Sequence, residues 1–193
     1  VTTCRNYAND PIQHVSFADM EVIRLVNGSN EVDLNGDGIM DTLFWAWRGN
    51  QNAHGYNLFT FYIHKPNEDR PDREWHLVPF NDEKGIPTKE SVSTISGADC
   101  VLQDIRVLRS STQMNAPVIV IIGAREFGES YADVESVKFV EYELKHNTEG
   151  IPLDPPFHFA VKRTITGKRK HCDINTAFLE ELGVVDYEKR EIE

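Results

Sequence analysis

The sequence predicts a mainly β protein, an antiparallel sandwich or a partly open barrel, completed by one short C-terminal helix. Three observations carry this. Hydrophobic residues recur mostly with period two, the apolar stretches are rich in β-branched and aromatic side chains, and polar or Pro/Gly segments part them at short intervals. The longest apolar run, 117–124, is far shorter than the roughly 20 residues a membrane-spanning helix needs. Bounded by Pro and Gly, it reads as a buried strand.

Eight strands are expected: 17–26, 42–47, 56–63, 75–80, 100–108, 117–124, 134–144 and 157–165. Turn chemistry separates several of them, as NGSN at 27–30, PNEDRPD at 66–72, NDEKGIP at 81–87 and RSSTQMN at 109–115. In the second strand Leu43, Trp45 and Trp47 face one way and Phe44 the other. Both faces are apolar, so this hairpin is expected to be covered on both sides. Lys162, Arg163, Lys168, Arg169 and Lys170 form a basic stretch that reads as a solvated hairpin turn, with a local anion site as the sharper alternative. The helix follows Asp173, with Ile174, Ala177, Phe178 and Leu182 on one face and Gly183 as its stop.

At 193 residues the chain suits one domain, 1–193, with 1–14 and 184–193 as peripheral tails. Thirty-one acidic residues against twenty basic ones give −11, which argues against general nucleic-acid or anionic-membrane partners. The chain starts at Val1 without a charged-then-apolar leader; a removed signal peptide or a trimmed chain both account for that. Cys4, Cys100 and Cys172 allow one bridge in three pairings, and export favours forming it. Cys4 lies in the terminal tail, so Cys100–Cys172 is the expected pair.

The most specific motif is Asp33-Leu34-Asn35-Gly36-Asp37-Gly38-Ile39-Met40-Asp41. Oxygens at alternate positions of a tight loop converge on a hard cation, and Gly38 permits the sharp turn. The expected cofactor is a structural Ca2+ held by Asp33, Asn35, Asp37, the Ile39 carbonyl, and Asp41 directly or through water. Three carboxylates in nine residues repel one another unless a cation or water intervenes. Position 12, where an EF-hand carries a bidentate Glu, is Phe44, so the loop is of strand–loop–strand type.

Catalytic motifs are absent from the sequence. The seven histidines show no HxH or HExxH spacing, and there is no GxSxG, SxxK, phosphate loop or dinucleotide fingerprint. The chain therefore reads as a non-enzyme, although a triad is geometric and can be dispersed along a sequence. The hairpin around Trp45, Trp47, Arg48, His54 and Tyr56 combines aromatic rings with amides and cations, the composition of a small-molecule site.

The run from Val32 through Trp47 to Gly55 resembles the carbapenem self-resistance (intrinsic immunity) proteins of carbapenem-producing enterobacteria, and Ser96 to Cys100 and Cys172 to Gly183 are similar too. The resemblance implies a periplasmic protein, its signal peptide removed, that protects its producer from a carbapenem-type small molecule. It supplies no catalytic residue. Sequestration of the drug or shielding of its targets fits these residues better than hydrolysis. The alternative is a calcium-stabilised extracellular β module that binds glycan or protein. Oligomeric state is open, a homodimer included.

Overall fold

The computed structural model describes residues 17–51, 54–150 and 155–185. Its strands are β1 (Met20–Val22), β2 (Gly28–Val32), β3 (Asp41–Arg48), β4 (Tyr56–His64), β5 (Trp75–Leu77), β6 (Phe80–Asn81), β7 (Pro87–Lys89), β8 (Val92–Ser93), β9 (Ile95–Ser96), β10 (Val101–Ser110), β11 (Ile119–Arg125), β12 (Glu135–His146) and β13 (Phe157–His171). Helix α1 (Ile174–Leu182) follows. The large sheet runs β1-β10-β11-β12-β13-β6-β7, with β9 also paired to β10. The small sheet runs β2-β3-β4-β5, with β8 also paired to β4. The long pairs are antiparallel, whereas β13 meets β6 in parallel at Phe159 and Phe80.

Period-two patterning places one apolar row of each strand between the sheets. Leu43, Phe59, Phe61 and Ile63 of the small sheet pack there with Ile105, Val107, Val120, Ile122, Tyr142 and Phe159 of the large one. The opposite face of the large sheet carries a second core, where Ile121, Val137 and Phe139 receive Ile174, Ala177, Phe178 and Leu182 of α1. The described residues thus form a sandwich of two open sheets with a helix on its outer face.

The helix ends follow from two residues. Asp173 accepts from the Asn175 and Thr176 amides, and its second oxygen accepts from Val101 N at 2.9 Å. Gly183 takes the left-handed conformation, φ 68°, that closes α1. Beside this cap Cys100 and Cys172 are joined, with Cα atoms 5.9 Å apart. Cys4 lies outside the described residues.

Several expectations are corrected. The hairpin β3–β4 is central in its sheet but covered on one face only, since Phe44 is 44% exposed. The basic stretch is not a turn: it lies in β13, paired with β12. A bulge between Glu141 and Tyr142 places Lys162 and Arg163 on the same buried carboxylate, Glu141. Lys170 pairs with Glu135, and Arg169 with Glu180 and Glu181. NGSN is not a free turn either, because 28–30 begin β2.

Candidate functional site

A break in the edge of the large sheet opens onto a cleft. Along one edge of β10, β9 pairs near Val101 and Gln103, and β1 pairs at Leu108 to Ser110. Between these stretches no strand among the described residues covers the peptide of Ile105, and side chains take over. Its N–H donates to Asp104 Oδ1 at 2.8 Å, and its carbonyl accepts from Arg106 Nη1 at 2.8 Å. Arg106 also donates to Asp104 Oδ2 at 2.8 Å and to Asn175 Oδ1, with its guanidinium over the Phe178 ring. The Arg106 cation is therefore neutralised and hydrogen-bonded where it is buried.

Residues 22–27 cross from the large sheet to the small one as a strap over this gap. Ile23 N donates to Val107 O at 2.8 Å, and Asn30 clasps Val26 by accepting from its N–H and donating to its carbonyl. Strap, gap and small sheet enclose about 550 Å³. Ile23, Trp45 and Phe59 give the cleft apolar surface, and Arg24, Asn57, Thr94 and Ser96 give it polar groups. Trp45 Nε1 donates to Asn57 Oδ1 at 2.7 Å, which fixes the indole. Polar and apolar groups share the lining almost equally, a mixture that can hold a small molecule by contact and hydrogen bonding.

The five hairpin residues singled out in the sequence do not share one pocket. Trp45 lines the cleft. Trp47 is 57% exposed and lies across Gly55, whose missing Cβ leaves room for the indole. Arg48 donates to the Tyr56 hydroxyl at 2.7 Å and sits over that ring. His54 stands 4.9 Å from the Tyr131 ring. Asp104, Arg106, Asn57 and the strap escaped the sequence reading. Their one signal was a charged pair inside a mostly apolar run at 100–108.

The acidic loop is anchored at both ends. Leu34 is fully buried in the inter-sheet core, and Asp41 is buried beneath the loop, accepting from Leu34 N and His64 N at 2.8 Å each. Burial pushes the Asp41 carboxyl above its usual range, opposed by those two amides, while Asp37 and Asp33 add to the rise. Asp33 accepts from the Gly36 and Gly38 amides, Asn35 Oδ1 from Asp37 N, and Asp37 Oδ1 from Ile39 N. Each such oxygen keeps a second lone pair, so the donor set is compatible with a hard cation. Among the described residues no three His, Cys, Asp or Glu side chains are gathered in a metal-binding cluster. Asn35 and Asp37 also border a smaller cleft of about 350 Å³ with Lys65, His146 and Phe157.

Residues 25–180 match the family described as carbapenem resistance protein CarG-like, and the chain belongs to that family. The solved structure titled "Crystal structure of CarG" is similar to it with a TM-score of 0.68 and 23% identity, over 87% of this chain and 97% of that one. That likeness is one of fold. No curated protein matches the sequence.

Proposed function

We propose that this chain protects against a carbapenem by binding the intact drug in the cleft under the strap, without hydrolysis and in the periplasm. The observation that carries the reading is the cleft: about 550 Å³ with Trp45 held by Asn57 and with Arg24 on the wall. A carbapenem is a compact, strained bicycle bearing one carboxylate. Its apolar frame suits the Trp45 and Phe59 surface, its carboxylate suits Arg24, and its carbonyl suits the Asn57 and Thr94 donors. Membership of a carbapenem resistance family supports the choice of ligand. The Cys100–Cys172 bridge supports an oxidising compartment.

No residue is assigned a nucleophilic or acid–base role in this reading. Calcium belongs to it as a structural ion: Asp33, Asn35, Asp37 and the Ile39 carbonyl would hold it, with Asp41 behind them. The ion would neutralise the carboxylates crowded at the mouth of the β2–β3 turn. Calorimetric titration with a carbapenem tests the site. Wild type binds, and Trp45→Leu weakens binding about tenfold or more, the effect of losing one buried aromatic contact. Unchanged affinity in a folded Trp45→Leu variant overturns the placement.

A further inference from the structure

The first turn of α1 reaches the cleft from the far side of the large sheet. Ile174, Ala177, Phe178 and Leu182 are buried, whereas Asn175 is half-buried and lines the cleft with Asp104, Ile105 and Arg106. Asn175 Oδ1 accepts from Arg106 Nη2, and the same guanidinium lies 4.7 Å from the centre of the Phe178 ring, three residues further along the helix. An arginine only donates, so this contact takes the amide oxygen of Asn175 and fixes which way that amide is turned. Arg106 Nη1 meanwhile holds the Ile105 carbonyl and Asp104 Oδ2 at 2.8 Å each. The side chains that close the open sheet edge are therefore set from the helix.

The start of α1 is itself held to the start of β10 twice over. Cys172 is bonded to Cys100, and the residues that follow them meet, with Asp173 Oδ2 accepting from Val101 N at 2.9 Å. Asp173 Oδ1 accepts from Asn175 N at 2.9 Å, which seats Asn175 in the capped turn. Bridge, cap and Asn175 thus form one line of contacts that ends on the Arg106 guanidinium. A buried guanidinium held at both terminal nitrogens keeps one orientation. Loss of an acceptor leaves a buried donor to be satisfied elsewhere, and the group turns to find a partner.

We propose that Asn175 is a positioning residue for the drug cleft. It orients Arg106, and through Arg106 the uncovered edge of β10, while the Asp173 cap and the Cys100–Cys172 bridge hold Asn175 in place. This role rests on the binding reading of that cleft given above. Neither cysteine lines the cleft, so the bridge acts on the drug only through α1.

Calorimetric titration with a carbapenem, run beside melting temperatures, reads the role at the cleft. Asn175→Leu removes the acceptor and should weaken binding about tenfold, the effect of losing one hydrogen bond to a charged group. In an Arg106→Lys background the same substitution should change affinity by less than about twofold, because the group it acts through is gone. Side-chain 15N NMR of the drug-free protein reads the role at Arg106 itself. Wild type should give separate Nη1 and Nη2 signals for Arg106, assigned by their loss in Arg106→Lys. They should merge in Asn175→Leu and in Cys100→Ser with Cys172→Ser, and stay separate in Asn175→Asp, which keeps the acceptor. If the serine variant does not fold, Asp173→Ala loosens the same turn and takes its place. Wild-type affinity in a folded Asn175→Leu protein, a full tenfold loss in the Lys background, or Arg106 signals that ignore Asn175→Leu or ignore release of its turn would each overturn the role. A wild type that takes up no drug refutes the binding reading alone, and the Arg106 signals then decide the positioning.

Discussion

Four donors converge on Glu181: His171 Nε2 at 3.0 Å, the Lys168 and Arg169 amides, and Arg169 Nε. Burial pushes this carboxyl up, but the hydrogen bonds from His171, the two amides and Arg169 outweigh it and hold it at about 2, against an ordinary 4.5. A depressed folded value means that the stabilisation is full above 4.5 and fades as pH falls from there toward about 2. Its size is on the order of 3 kcal/mol. Urea unfolding of Glu181→Gln should therefore show that deficit at pH 7 and almost none near pH 2; a deficit independent of pH would contradict the assignment. Glycines in the acidic loop separate two costs in the same way. Gly38 has φ 85° and open space around it, so Gly38→Ala should cost about 1 kcal/mol from backbone strain alone. Gly36 has φ 79° and the Asn115 carbonyl where a Cβ would go, so Gly36→Ala should cost clearly more, about 2–4 kcal/mol. Equal melting temperatures for the two variants would refute the close approach. At this scale the sequence was informative where a residue acts on its own neighbours, as at Asp173 and Gly183. It was silent on Arg106, whose partner Asn175 stands on a helix 69 residues further along the chain.

At the scale of elements, α1 is held to the large sheet by packing and by a covalent tie. Phe178 is fully buried against Phe139 and Gly123. Phe178→Ala should cost about 3–5 kcal/mol by removing a core ring. The Cys100–Cys172 bridge spans 72 residues, and chain-entropy reasoning gives about 4 kcal/mol for closing a loop of that length. Replacing both cysteines with serine should lower stability by that order, measured by denaturant unfolding; an unchanged midpoint would show that the bridge contributes nothing. Strand existence was legible in period-two patterning, but strand partition was not. Residues 17–26 read as one strand because their apolar pattern is unbroken, yet the chain leaves β1 after Val22 and crosses to the other sheet. The Asn30 clasp on Val26 fixes that crossing, and no local propensity encodes it. Likewise 75–80 divide into β5 and β6, one in each sheet, with Val78 N donating to Phe61 O and Pro79 O accepting from Phe159 N. The short strands β7, β8 and β9 went unseen because two or three residues carry no period.

For the whole molecule, −11 of net charge sits on a fold whose basic residues in β13 are largely engaged with carboxylates of β12 and α1. What the sequence called a charge run is internal bookkeeping between elements, and only the topology reveals the acids that meet it. The acidic loop is the opposite case, since its oxygen spacing is legible in the sequence and the fold adds the buried carboxylate of Asp41. If calcium binds there, chelation should lower the melting temperature of wild type, and Asp33→Ala with Asp37→Ala should abolish that response. A wild-type transition indifferent to chelator would remove calcium from the account. The central claim is that the protein binds a carbapenem and leaves it intact, and one measurement meets it directly. Purified protein is incubated with excess drug, bound and free drug are separated, and both are weighed by mass spectrometry alongside the protein. The account predicts drug bound noncovalently at about one per chain, unmodified protein, and recovery of intact drug matching a protein-free control. Steady accumulation of ring-opened product, or a protein mass increased by one drug, would contradict it.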